Sequence, residues 1–198
     1  MSVSVSLDDL QAAGFPMGGE SSVAVDFVDT ERLAVTPAID LLADDAEAWW
    51  RLQSGRLPGG EEPAEMAASR LRSAIREAFE ARIAGRAAPA SAVEELNSFA
   101  ASVPSSPRLV SGPQGFSAET RWHPEHGGNA KLAAVAGDAM ALLADPVRAA
   151  QLRHCAGSEC SMIFLAENSR RVWCTANLCG NRARVARHQR RRQRDDRS

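Results

Sequence analysis

The chain has 198 residues, 44% of them apolar and 24% charged, with a formal net charge of −2. That length supports one ordinary domain and a small appendage around a real core. No stretch approaches the roughly eighteen uncharged apolar residues of a membrane span, and the start, MSVSVSLDDLQAAGF, lacks the basic and apolar regions of an export signal, so a soluble cytosolic protein is expected.

Charge is unevenly placed. Arginine outnumbers lysine by 22 to 1, Lys131 being the single lysine. Twelve arginines fall between Val147 and Ser198 against Glu159, Glu167, Asp195 and Asp196, a formal +8. The remaining residues, 11 basic and 21 acidic, carry −10.

In chain order, residues 1–22 are polar and broken by Gly14, Gly18 and Gly19, which predicts a flexible lead-in. Val23–Val28 predicts a short strand. Asp44 is placed to cap a helix through Trp49, Trp50 and Leu52 that Gly55 stops, with both Trp read as core. Leu71, Ile75, Phe79 and Ile83 recur every four residues and predict a helix over 63–83. Ser91 and Glu94 predict a capping box for a helix carrying Val93, Leu96 and Phe99, ended by Pro104 and Pro107. Strands are expected at 108–110 and 116–122, then a helix from Asn129 through Leu132, Val135, Met140 and Leu143 to Asp145-Pro146. The fold class is therefore α+β: an α-rich domain over 23–147, followed by a small module over 148–198.

Within the domain, chemistry is sparse. His123, Glu125 and His126 read as an exposed loop with no third metal ligand at regular spacing. Gly127-Gly128 lacks the surroundings of a phosphate loop, and no catalytic set is visible, so an enzyme is not expected.

The tail is richer. Cys155, Cys160, Cys174 and Cys179 are the only cysteines, spaced C-x4-C-x13-C-x4-C. Two such pairs suit one tetrahedral Zn²⁺, and four thiolates leave no open position for catalysis. Disulfides fit an exported miniprotein, and a redox pair normally uses C-x-x-C beside a βαβ unit, so a structural zinc is expected. A treble-clef-like arrangement follows: a strand at 161–165, a turn at 167–169, a returning strand at 171–173 that delivers Cys174, and a helix capped by Thr175. Ile163, Phe164, Val172 and Trp173 supply little apolar area, so metal ligation should provide most of the folding free energy.

Continued to about residue 194, that helix gathers Arg184, Arg187, Arg190, Arg191 and Arg194 within a sector of about 120°, opposite Leu178 and Val185. Guanidinium forks along a line suit a nucleic-acid backbone, and the same stripe could meet an acidic protein surface. No aromatic interleaves the arginines, which favours duplex DNA over stacking on single strands.

Trp173, Cys174, Cys179-Gly180-Asn181-Arg182 and Ala183-Arg184-Val185, with Phe164-Leu165, Arg170, Arg171 and the first cysteine pair, resemble the CGNR zinc-finger family over about 148–192. Asp26-Phe27-Val28, Asp29-Thr30, the Trp49 region and the helix ending near Leu143 resemble the ABATE domain that usually precedes that finger. Ala166 and a short loop before Trp173 depart from the family pattern, as does Thr175-Ala-Asn177, and none touches a metal ligand. The resemblance implies a bacterial DNA-binding transcription regulator whose N-terminal domain senses a ligand or mediates assembly. Gly180 is expected to leave room beside the fourth thiolate, Asn181 to bond local backbone, and Arg182 either to brace the domains or to contact DNA. A second reading is an adaptor whose finger docks on an acidic partner such as the transcription machinery.

Overall fold

The structure, a computed structural model, describes residues 5–15, 18–35, 37–157 and 159–195; the side chains of residues 126, 187, 190, 191 and 193–195 fall outside it. In chain order the elements are α1 (Leu7–Ala12), α2 (Val23–Val28), β1 (Glu31–Arg32), β2 (Ile39–Asp40), α3 (Leu41–Leu52), α4 (Glu65–Ile83), α5 (Ala90–Ala101), β3 (Ser105–Gly112), β4 (Gly115–Trp122), α6 (Ala130–Ala144), α7 (Pro146–Ala149), β5 (Leu152–His154), β6 (Ile163–Leu165) and α8 (Asn181–Asp195). The strands form three separate antiparallel pairs, β1 with β2, β3 with β4 and β5 with β6. This is the expected class, an α-rich domain followed by a small cysteine finger.

Helix α4 is the central element. Leu71, Ile75 and Phe79 lie one turn apart on a single face and are fully buried, which is what their four-residue recurrence requires. Helices α2, α5 and α6 pack around α4. In α6, Ala133, Ala136 and Ala139 are buried beside Leu132, Val135 and Leu142, and small side chains allow close helix approach. Phe27, Trp49 and Trp50 close one end, with ring centroids 4.6–5.7 Å apart and the two Trp edge to face.

Residues 23–28 form a helix instead of the expected strand. All six are buried, so alternation of Val23, Val25 and Phe27 carries no information about a solvent face. The helix is capped from outside: Asp138 Oδ2 on α6 accepts from Ala24 N at 2.9 Å and from the Ser22 hydroxyl at 2.5 Å. A long-range carboxylate thus overrides the β preference of Val and Phe.

Other local signals shift by a few residues. Asp40, not Asp44, caps α3 by accepting from Leu42 N and Ala43 N. Helix α3 then breaks at Asp45 (φ −155°, ψ 73°), whose side chain caps the second segment through Ala48 N at 2.9 Å. Ser91 and Glu94 do not form a capping box, since Pro89 occupies the N-cap of α5. Asn129 does cap α6, accepting from Lys131 N and Leu132 N. His123 bonds Glu125 and the Ser106 hydroxyl, while the side chain of His126 lies outside the described residues.

The lead-in is also corrected. Leu10 of α1 and Phe15 are buried in the main core, and Ser6 caps α1 through Asp9 N. Phe15→Ala is therefore expected to destabilise the protein by about 3 kcal/mol in chemical denaturation, whereas a mobile lead-in predicts no change.

Candidate metal centre and its basic helix

The finger begins where β5 hands the chain to Cys155. Cys155 N donates to Met162 O at 3.0 Å, and Cys160 N donates to Gly157 O at 3.2 Å, closing a tight knuckle between β5 and β6. The second pair comes from the other side. Cys174 precedes a π turn over Ala176–Gly180, and Gly180 N donates to Thr175 O at 3.1 Å across five residues. A turn this wide accommodates the five-residue step from Cys174 to Cys179, which a tighter α turn would rotate further away.

The four Sγ atoms lie within 4.8 Å of one another. Cys160 and Cys174 are 3.7 Å apart, far beyond a disulfide and close to the edge of about 3.8 Å that a tetrahedron with Zn–S near 2.3 Å requires. Cys174 N donates to Cys155 Sγ at 3.4 Å, a bond that favours a thiolate there. Without a metal the cluster holds its protons unequally. A hydrogen bond from Cys174 pulls the Cys160 thiol down to about 5, and that same bond pushes Cys174 up. Burial lifts Cys179 to about 11. Four thiolates this close need a divalent cation to coexist, and their ligation releases protons. The residues thus fit one structural zinc, which ties the two cysteine pairs together.

Several expectations about the finger change. The returning strand is not 171–173: β6 pairs with β5, in register Leu152↔Leu165, Arg153↔Phe164 and His154↔Ile163. Residues 171–173 run alongside without joining that pair, held by Ala156 N donating to Val172 O. Val172 is 47% exposed. Thr175 takes the N-cap position, but its hydroxyl is buried with no partner among the described residues. The room beside the thiolates is made by Gly157, where a Cβ would come within 3.2 Å of Cys160 Cβ and 3.4 Å of Cys179 Sγ. Gly180 instead lies against the Trp173 ring.

The finger is not an independent miniature either. Leu152, Ile163 and Leu165 belong to the main core, while Met162 and Phe164 pack with the cysteines. The free edge of β6 is completed by the N-terminal domain: Ile163 N donates to Asp29 Oδ1 at 3.0 Å, and Leu165 N to Glu20 Oε2 at 3.2 Å. Asp29 is buried, and desolvation raises its carboxyl well above the ordinary range. Arg76 of α4 donates to Ser161 O, Val28 O and Glu31 O.

Arg171 joins the two halves. Its guanidinium lies 4.5 Å from the Phe164 ring centroid, pairs with Glu20 at 2.5 Å and donates to the carbonyls of Leu165, Trp173 and Cys174. Gln11 of α1 and Asn177 of the π turn bond side chain to side chain at 2.8 Å.

Helix α8 leaves this platform with Arg182, Arg184, Val185, His188, Gln189 and Arg192 exposed. Ala183 and Ala186 are the half-buried positions, so the inner face is theirs and not that of Leu178 and Val185. Leu178 packs on the cysteine cluster, but Val185 is 49% exposed. Of the anticipated stripe, Arg184 is exposed; the side chains of Arg187, Arg190, Arg191 and Arg194 lie outside the described residues. Asn181 and Arg182 are exposed and line up at the start of α8, where Arg182 borders clefts beside Cys160 and Cys179 of about 250 and 420 Å³. Among the described residues no helix is long and apolar enough to cross a membrane.

Sequence reasoning did not find Gly157 or Glu20, and it singled out Asp29 only within the ABATE resemblance, without its role. Gly157 had a local signal, a glycine inside the first cysteine pair. Asp29 and Glu20 had none, because their partners lie 134 and 145 residues away.

Two family models match. ABATE, described as "Putative stress-induced transcription regulator", covers residues 21–146, more than half of the chain, and the CGNR zinc finger covers 151–192. No curated protein matches the chain.

Gly157→Val is expected to weaken zinc retention by about tenfold or more in competition with a chromophoric chelator, because the added carbons meet two ligand cysteines. Arg171→Lys keeps the charge and loses the fork, so an unfolding free energy lowered by about 2 kcal/mol is expected for the zinc-loaded chain in chemical denaturation.

Proposed function

Because the chain belongs to the ABATE family and carries a CGNR zinc finger behind that domain, we propose that it is a DNA-binding transcription regulator rather than an enzyme. The single observation that carries the reading is the placement of α8. It leaves a zinc-fixed platform with its described arginines in solvent, and guanidinium groups held that way suit phosphate oxygens. Residues 147–198 carry a formal +8, which four thiolates on one Zn²⁺ reduce to about +6, and that charge supplies the long-range attraction for duplex DNA.

Arg184 and Arg192, both exposed on α8, are the proposed backbone contacts, together with Arg187, Arg190, Arg191 and Arg194 of the anticipated stripe, whose side chains lie outside the described residues. Arg182 stands at the clefts beside the zinc ligands and is proposed as a phosphate contact at the helix start, since it has no ion pair among the described residues. The N-terminal domain would sense a ligand or mediate assembly. Its coupling to the finger through Asp29, Glu20 and Arg76 supports that division of labour, because a shift in α2 or α4 bears directly on β6.

The adaptor reading differs in one respect: the arginines would meet carboxylates of a protein. Duplex binding titrated against salt separates the two. Several phosphate contacts require log K to fall with log salt at a slope of about −0.9 per contact, and Arg184→Ala should reduce the slope by about one contact. No affinity at low salt, with a protein partner still recovered after nuclease treatment, would replace the regulator by the adaptor.

A further inference from the structure

The β3–β4 hairpin stands apart from the rest of the fold. It pairs only with itself, from Ser105↔Trp122 at the root to Gly112↔Gly115 at the tip, and no position along either strand is buried. A lone two-stranded hairpin is marginal in water. Here the root is held, because Trp122 packs against Val103, Ala130 and Ala133, and His123 N donates to Pro104 O at 2.9 Å.

The two faces differ sharply. Strand alternation places Pro107, Leu109, Ser111, Phe116, Ala118 and Thr120 on one face, on the same side as Trp122. The other face carries Arg108 opposite Glu119, with Ser106, Val110, Ser117 and Arg121. The first face therefore has no charge, and its two large side chains are in water: Leu109 is 71% and Phe116 76% exposed. Pro107 has no N–H, so Pro107↔Thr120 is a non-hydrogen-bonded pair, and the two-residue alternation gives every pair on that face the same closer side-chain spacing. Pro107 also blunts the outer edge of β3 against strand addition. What the hairpin offers a partner is a face.

We propose that this face seats the same face of a second copy of the chain, making the hairpin the dimer interface. A neutral surface selects neither an acidic nor a basic partner, and this one is self-complementary. The bulky Phe116 lies near the tip, Leu109 and Ala118 at the middle, and Pro107 with the smaller Thr120 near the root. Under a two-fold axis through the middle, Phe116 of one copy covers Pro107 of the other, and Leu109 meets its own equivalent. Strands of eight residues are about 27 Å long, so stacking two such faces buries on the order of 1,000 Å² in total, the lower bound for a specific interface. The inference gives the assembly role of the N-terminal domain a surface, and its readout uses no DNA, so it fails separately from duplex binding.

The test is the mass of the zinc-loaded full chain by sedimentation equilibrium. The wild type should be a dimer at about 100 μM, and Leu109→Glu/Phe116→Glu a monomer with unchanged zinc content and far-UV dichroism. Phe116→Ser alone should raise the dimer dissociation constant about tenfold or more, which keeps the test open if the double variant misfolds. Arg108→Ser/Glu119→Ser, on the opposite face, should remain dimeric. A monomeric wild type, or a dimer that survives both Phe116 variants, would overturn the proposal. So would a monomer whose duplex affinity falls on Phe116→Ser, since the face would then seat nucleic acid.

Discussion

Strand β6 has two edges, and both are used by different parts of the molecule. One pairs with β5 to form the knuckle that carries Cys155 and Cys160. The other sends the amides of Ile163 and Leu165 into the carboxylates of Asp29 and Glu20. Buried amides left unpaired cost more than the bonds themselves contribute, so the strand, the knuckle and the N-terminal domain hold their positions jointly. Ile163 and Leu165 in the main core reinforce this. The zinc cluster sits directly on that shared strand, and the direction of α8 follows from it.

Charge in the interior is arranged around the same seam. Arg72 places two N–H groups on Asp40 and one on Thr30, while Arg76 reaches backbone carbonyls from both halves. Arg56 meets Asp26 at 2.6 Å, and Gly19 N and Glu20 N donate to the same carboxylate. These guanidinium groups are buried or nearly so because planar forks can satisfy several acceptors at once. The arginines of α8 differ in that their described members face water.

The metal site was legible because its signal is covalently local: four cysteines within 25 residues state their own geometry. Helix α4 was equally clear, since its apolar positions share one face with polar neighbours between them. The failures have a common origin. Residues 23–28 are buried on every side, so periodicity could not separate helix from strand, and the deciding cap is Asp138, far along the chain. The strand partner of β6 was misassigned to 171–173 because both candidates are short, and the choice is made by tertiary packing of Leu152. Thr175 and Gly180 were given roles natural to an α turn, and the π turn changed what each one touches. The charge of α8 was readable from composition, whereas its inner face depended on Ala183 and Ala186, residues too small to stand out as apolar.

The continuity of β6 with two neighbours has a consequence for how such proteins can be rebuilt. A finger moved onto a different carrier would bring two amides with no acceptors and leave Asp29 facing nothing, so it would arrive with a defect that zinc cannot repair. The N-terminal domain and the finger are therefore not exchangeable cassettes: a chimera that works must carry α2, Glu20 and the knuckle together, cutting the chain where no β edge is shared.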